Sequence, residues 1–410
     1  MKLHNMTILA AFVTCMLAAC SKGDGKHNLV EKQIYTSVDS VRVALERSNN
    51  IEVPSLNVYI QTPDDIYFVS TTSQGTEPVR RNTNYRFASV TKNFTATAIL
   101  YMHQLKWLNI KDQVTAAIPG SNQPYVPTGT AWNFPYKQEI TIEQLLKHSA
   151  GVYDLDNDTV PGYNGLPYTE YMVQQDPNHQ FTSSELVGVL TEKNISYWAP
   201  DQGYHYSNTG YTILGEIIAR VYSQRSGTMK TYGDFLRDKV HGKESKVPLS
   251  LSFVHDALDQ QLPQPYVKGR IITETGIEIT DKVNMSQHVA EGNGIGTMEH
   301  LNKYIRTLMK GENILSKETV QMMQHTPGPE AGNPYSLGCT LFPNLGYGHN
   351  GATNGYLNLV CYDPLTDVSI VVMLPLWDLS SGNASFINCI KAMSEAGWAA
   401  REVLGYPGKP

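Results

Sequence analysis

The chain has no Lys/Arg-rich run, and its 410 residues carry a formal net charge of -6. Without a basic stripe there is no electrostatic footprint for a phosphate backbone, so nucleic acid is excluded as a partner. The signatures of a zinc site are missing as well. There is no Cys-x-x-Cys and no His-Glu-x-x-His, and the 12 histidines are scattered, so no metal and no cofactor is expected. Cysteine is scarce: of five, Cys15 and Cys20 lie near the N-terminus, leaving Cys339, Cys361 and Cys389. Three thiols cannot all pair internally, and no disulfide is expected. No internal repeat is evident. The N-terminal apolar run, Met6 to Ala19, is too short to span a bilayer comfortably.

What is present is an ordinary globular balance, 41% hydrophobic and 17% charged, long enough for one large or two modest domains. Lys2 and His4 ahead of the apolar run give it the form of a signal-peptide h-region over residues 1–19. The run ends in Leu17–Ala18–Ala19–Cys20, which resembles the bacterial lipobox, and this implies lipidation at Cys20. The small, polar and charged residues that follow suit a lipid-anchored tether, placed at 20–35. The expectation is an exported protein, lipid-anchored on the periplasmic or cell-surface side of a bacterial membrane.

Apolar residues Val90, Phe94, Ala98, Tyr101, Leu105 and Leu108 recur every three or four positions, which predicts an amphipathic helix to about Leu108. Ser89 stands at its start and Lys92 one turn on, where an amine can approach a hydroxyl. Two short strands, Leu56–Gln61 and Asp65–Ser70, precede this helix. Thr141–Gln144 and Thr182–Glu185 read as capping boxes, and a helix is expected around Tyr211 to Val221. Asp234–Val240 reads as helix and 271–280 as a hairpin around Gly276. Thr297 and Ser316 are read as caps of two more helices. Short β-rich runs follow at Tyr335–Phe342, Gly346–His349, Tyr356–Tyr362 and Val368–Leu374, then a closing helix over Ala384–Val403. The fold class expected is mixed α/β (α+β): an antiparallel sheet flanked by helices, with a mostly helical inserted subdomain. The sheet domain is expected to be discontinuous, 36–109 with 286–410, and the insertion to cover 110–285.

Two more constellations accompany Ser89–Val90–Thr91–Lys92. Tyr206–Ser207–Asn208 sits on a polar loop before a helix, and Gly348–His349–Asn350–Gly351 sits on a C-terminal strand. In order and spacing the three resemble Ser-x-x-Lys, Tyr-x-Asn and the Lys/His-x-Gly strand of the serine β-lactamase and penicillin-recognising family. Leu145–Leu146–Lys147–His148–Ser149–Ala150–Gly151 and Gly294–Ile295–Gly296–Thr297 look like that family too, and the resemblance runs from about Leu56 to Leu374. It implies a β-lactamase/transpeptidase-like fold in which Ser89 attacks a carbonyl and forms an acyl-enzyme. It also implies that Lys92 and Tyr206 share the proton handling, the lysine ammonium favouring the phenolate. Asn208 would hold Lys92 and the substrate amide, Gly351 would let the strand approach, and the backbone N–H groups of Ser89 and Ala352 would form the oxyanion hole.

His349 stands where β-lactamases of this branch carry lysine, so a charge near half-occupied around pH 6.5 replaces a permanent one. Asn350 and Ala352 stand where carboxylate-binding DD-peptidases usually place hydroxyl residues. The resemblance therefore implies a serine hydrolase acting on an amide or ester, of DD-peptidase, D-amino-acid amidase or esterase type. A true β-lactamase is the alternative. A non-catalytic penicillin-sensing or cell-wall-binding lipoprotein is the alternative of another class, as is glycan binding through the tyrosine-rich stretch Tyr153–Tyr171. The partner expected is a small-molecule or peptide substrate, with cell-wall-derived peptides among the candidates.

Overall fold

The computed structural model describes residues 4–410, with side chains from Gly25 onward, so the apolar run and Cys20 lie outside the described side chains. Helix α1 (His4–Asn49) leads into β1 (Ser55–Gln61) and β2 (Ile66–Thr72). Strand β3 (Asn84–Arg86) and a 3-10 turn, Ala88–Val90, precede α2 (Thr91–Gln104). Four helices follow across the middle: α3 (Ile142–Leu146), α4 (Tyr168–Gln175), α5 (Ser183–Lys193) and α6 (Asn208–Ser226). Short α7 (Tyr232–Phe235) runs into a π turn, Leu236–His241. Strands β4 (Ser252–Phe253), β5 (Gly269–Thr273), β6 (Gly276–Thr280) and β7 (Gly294–Thr297) come next, then α8 (Met298–Met309) and α9 (Lys317–His325). The chain closes with β8 (Thr340–Phe342), β9 (Gly346–Thr353), β10 (Tyr356–Asp363), β11 (Val368–Leu374), β12 (Leu376–Asp378) and α10 (Asn383–Val403).

The antiparallel sheet flanked by helices is present. Its strand order is β2-β1-β11-β10-β9-β8, so strands from the two ends of the chain meet where β1 pairs with β11. Strand geometry points alternate residues to opposite faces, and here both faces are covered, so β10 and β11 are buried throughout and largely apolar. Leu357, Leu359, Ile370, Val372 and Leu374 join one core with α1 and α10. Tyr356, Val360, Tyr362, Val371 and Met373 join the other, with α2, α6 and α8. Two three-stranded sheets, β12-β5-β6 and β3-β7-β4, accompany the six-stranded one. Cys339, Cys361 and Cys389 are buried free thiols.

Several local expectations shift. Helix α2 ends at Gln104 because Lys106 turns left-handed (φ 57), which breaks the helix before Leu108. It is also buried nearly all round, Thr91, Lys92, Asn93, Thr95 and Thr97 included, so it is a central rather than a half-exposed helix. Thr182 caps α5 through the Glu185 N–H, but the Glu185 carboxylate does not complete the box: it accepts from Tyr168 and pairs with His179 instead. Tyr335–Phe342 is a strand only over Thr340–Phe342, since Gly338 (φ 63) turns the chain against α2. The segment assigned to the tether is partly core. Val30, Ile34, Val38, Val41 and Leu45 repeat at helical spacing along α1, and Ile34 and Val38 are fully buried. Any tether therefore ends before Val30, not at 35.

Among the described residues no helix is long and apolar enough to cross a membrane. If α1 is an integral part of the core, Ile34→Ala should lower unfolding free energy by about 2–5 kcal/mol in urea titration, the range for deleting a buried aliphatic side chain. An unchanged midpoint would mean that α1 packs only incidentally.

Candidate active site

The site begins with a strained turn. Ala88 adopts φ 49, a left-handed conformation costing roughly 1–3 kcal/mol that persists only where the surroundings enforce it. They do so from three sides. Phe87 N–H donates to Gly294 O at 3.0 Å, Asn358 Nδ2 donates to Phe87 O at 3.2 Å, and Gly294 N–H donates to Thr91 Oγ1 at 3.0 Å. Gly294 leaves room for the Phe87 ring, where any Cβ would collide. Ser89 thus sits in a 3-10 turn two residues ahead of α2, partly exposed, and no side chain caps either element. Its hydroxyl is free of the capping role that serine often has at a helix start.

Lys92 lies beneath it, fully buried. Its ammonium has three N–H donors and four acceptors around it: Ser89 Oγ at 3.2 Å, Asn208 Oδ1 at 2.6 Å, Glu291 O at 2.9 Å and Glu291 Oε2 at 3.1 Å. Burial alone would depress the amine, but Tyr206 and the Glu291 carboxylate outweigh it and hold Lys92 above its ordinary range. Glu291, 2% exposed at the side chain, is correspondingly held below the usual carboxylate range: burial pushes it up, and Lys92 and His288 more than reverse this. Lys92 rests as an ammonium.

Tyr206 and Asn208 arrive on the approach to α6. Ser207 caps that helix by accepting from Gly210 N–H at 3.1 Å, which frees Asn208 to point its carboxamide oxygen at Lys92. Lys92 Nζ stands 4.7 Å from the centre of the Tyr206 ring. Burial raises the Tyr206 phenol; Lys92 and Ser89 pull it back without cancelling the effect, and Glu291 adds to it. The expected phenolate is therefore replaced by a neutral phenol at rest, because burial disfavours the anion by more than Lys92 and Ser89 favour it. Below the ring lies His148 (φ 57), whose Nδ1 accepts from Ser207 N–H at 3.1 Å. Tyr204, Tyr206, Tyr211 and Tyr335 surround its imidazole, with Tyr206 nearest at 4.3 Å between centroids.

Strand β9 forms the opposite wall. A Cβ at Gly351 would collide with the Phe87 carbonyl oxygen, so glycine is what lets β9 close onto the Ser89 turn. Ala352 follows, exposed, and Asn350 is half-buried. Ser89, Lys92, Tyr206, Asn208, Gly351 and Ala352 are thus gathered around one cleft. His349 differs from expectation. It is 2% exposed, Tyr335 Oη lies 3.0 Å from Nε2, and Nδ1 faces Asn350 O. Burial, with Lys92 adding a smaller push, lowers it to about 3, so it is a neutral strand residue and not a contact titrating near pH 6.5. Strand alternation turns it under the Tyr206 ring, 6.4 Å away.

Glu291 and His288 were not singled out in the sequence, though they immediately precede the Gly294 turn. His288 Nδ1 faces Glu291 Oε1, and ligand atoms of Asp156, His288 and Glu291 lie within 4.8 Å of one another. The trio has the spacing of a cation site, but Glu291 is already compensated by Lys92 and His288. Asp156 comes from the tyrosine-rich stretch; burial, then Glu291, raises its carboxyl to about 7.

Gly351→Ala should push β9 from the turn and lower the rate of Ser89 acylation at least tenfold, read with a covalent serine probe; a wild-type rate would remove Gly351 from the site. For His349 the sign of the pH effect follows from its lowered pKa. The unfolded chain takes up a proton near pH 6.5 and the native state does not until about pH 3, so stability falls as pH drops through that window. His349→Gln should flatten that slope in urea titrations between pH 6.5 and 4, and an unchanged slope would mean that His349 protonates normally.

The model of the Beta-lactamase family matches residues 48–380. Penicillin-binding protein 4* of Bacillus subtilis (strain 168) is 29% identical over 164 residues, 40% of this chain and 29% of that protein, so the matched stretch spans under a third of the relative's length. Among solved structures, D-amino acid amidase from Ochrobactrum anthropi SV3, complexed with L-phenylalanine amide, superposes with a TM-score of 0.68 at 18% identity, covering 91% of this chain and 99% of that one. D-stereospecific amidohydrolase from Streptomyces sp. does so with a TM-score of 0.67 at 20% identity, covering 87% and 98%. At such identities these two speak for the fold. With the family match over most of its length and the Ser89, Tyr206 and Gly351 segments converging on one cleft, the chain belongs to the Beta-lactamase family.

Proposed function

We propose that the protein is a serine hydrolase that cleaves an amide or ester through an acyl-enzyme on Ser89. The observation that carries this reading is the Ser89 Oγ to Lys92 Nζ contact at 3.2 Å, with Lys92 also held by Asn208. A partly exposed hydroxyl, a buried amine and a phenol at one point provide a nucleophile and groups that can move its proton. In the reaction Ser89 attacks the substrate carbonyl, and the negative oxygen that develops is met by the Ser89 and Ala352 N–H groups. One such donor is worth about 3–4 kcal/mol in the transition state. The Asn208 carboxamide orients Lys92 and leaves its N–H₂ for the substrate.

The leaving group is of amidase, DD-peptidase or esterase type. His349, buried and neutral, supplies no positive charge on β9 for a substrate carboxylate, and this favours a substrate recognised without one over a β-lactam. The structural neighbours named for D-amino acid amides agree in kind. Export with a lipid anchor at Cys20 belongs to the same proposal and would place the site near small cell-wall-derived peptides.

Ser89→Ala should abolish covalent labelling by a fluorophosphonate, read by intact-protein mass spectrometry, with an almost unchanged melting midpoint because Ser89 caps nothing. Purified protein should turn over p-nitrophenyl esters or D-amino-acid amides faster than nitrocefin. A label that persists on another serine would refute the assignment. Nitrocefin as the best substrate would make it a β-lactamase.

A further inference from the structure

Serine, lysine and tyrosine alone leave the chemistry incomplete. With Lys92 an ammonium and Tyr206 a neutral phenol at rest, neither holds a vacant site for the Ser89 proton. A vacant acceptor lies directly behind them. From the geometry we infer that the Glu291 carboxylate is the proton acceptor behind Lys92, and that the charge on His288 sets how well it accepts. The inference rests on the acyl-enzyme reading above and extends it to residues outside the three motifs.

The contacts run in one line from the nucleophile to solvent. Ser89 Oγ to Lys92 Nζ is 3.2 Å, Lys92 Nζ to Glu291 Oε2 is 3.1 Å, and Glu291 Oε1 faces His288 Nδ1. Lys92 and Glu291 are sealed, 0% and 2% exposed at their side chains, whereas His288 is 19% exposed and can exchange its proton with water. The step balances. One Lys92 N–H bond breaks first, its proton forming an O–H on Glu291 and its electron pair staying on nitrogen, which leaves a neutral amine; the Ser89 O–H bond then breaks, its electron pair forms the C–O bond to the acyl carbon, and its proton makes a new N–H on Lys92. Lys92 is an ammonium before and after the step and an amine only in between. When the C–N or C–O bond to the leaving group breaks, the same proton returns from Glu291 through Lys92 to the departing atom.

Glu291 is a weak base while Lys92 and His288 are both positive. Loss of the His288 proton removes one of those charges and makes the carboxylate a better acceptor. The groups facing His288 are Glu291 on its own segment, Asp156 from the loop ahead of α4 and Lys92 from α2. Burial would lower His288, but the two carboxylates more than offset this and raise it above 6.5, with Lys92 opposing them. Acylation should therefore fall as pH drops through a limb above 6.5, where His288 gains its proton. Asp156, whose own carboxyl is raised to about 7 by burial and Glu291, favours the imidazolium while it is ionised, so Asp156→Asn should move the limb to lower pH.

The test is the pH dependence, from 5 to 9, of Ser89 acylation by an activated p-nitrophenyl ester in the full chain. Wild type should show the acid limb, Asp156→Asn should shift it down by half a unit or more, and His288→Gln should abolish it. Glu291→Gln should lower the acylation rate at least tenfold with KM nearly unchanged. Identical limbs in wild type, Asp156→Asn and His288→Gln overturn the relay, as does a Glu291→Gln rate equal to wild type. Should Glu291→Gln fail to fold, the Asp156 and His288 profiles decide alone. Failure of the underlying reading looks different: wild type itself would carry no acyl group on Ser89 at any pH.

Discussion

An ammonium with no water around it has to be met by the protein, and the buried Lys92 imposes that demand on the whole site. Taking a charged amine out of water is costly unless opposite charge and hydrogen-bond acceptors replace the lost hydration. The acceptors come from three separate parts of the chain: the Ser89 turn, the first residue of α6 and the segment ahead of β7. Satisfying one lysine therefore fixes the relative positions of α2, α6 and β7. The polar residues of α2 extend the same arrangement. Thr95 donates to Ala290 O at 2.6 Å, Asn93 donates to Gly338 O at 2.9 Å, and Tyr304 donates to Asn93.

This dependence explains which parts of the molecule could be read from the sequence. The strands β9 to β11, the caps at Thr141, Thr297 and Ser316, and the three motifs are local signals, each set by a few neighbouring residues. They were legible. Helix α1 carried a legible repeat from Val30 to Leu45 that was obscured by the polar stretch before it. His349 was not legible in the same way. On a strand covered on both faces, alternation does not say which face is the cleft, and a histidine reads alike whether it contacts substrate or Tyr335. Glu291 and His288 lie three apart just before a recognised glycine turn, but the pairing of Glu291 with Lys92 is a contact across 199 residues, for which no local pattern exists.

The tyrosines have a related story. Several of the 24 tyrosines serve as walls around buried imidazoles. His148 is ringed by four tyrosines and His349 leans on Tyr335. Burial, followed by Lys92 as the next cause for His148, holds His148 well below its ordinary range, so both rings stay neutral beside the ammonium. A phenol ring brings apolar area and a single polar atom, which suits a surface that must exclude water yet offer one hydrogen bond.

The meeting of the two chain ends in one sheet also bears on how the molecule is made. Strand β1 is synthesised early, but Asn57 waits for Met373, 316 residues later, to receive its partner in β11. At roughly 5–20 residues per second that interval is about 15–60 s, during which β1 and β2 form at most a hairpin with one edge unpaired. Hairpins of β9, β10 and β11 close locally and cheaply, whereas joining β1 to β11 closes a loop of nearly the whole chain. Within the six-stranded sheet the contact that waits longest is therefore β1 on β11, which lies inside the sheet, and the half-made protein carries an open, apolar β edge until β11 exists.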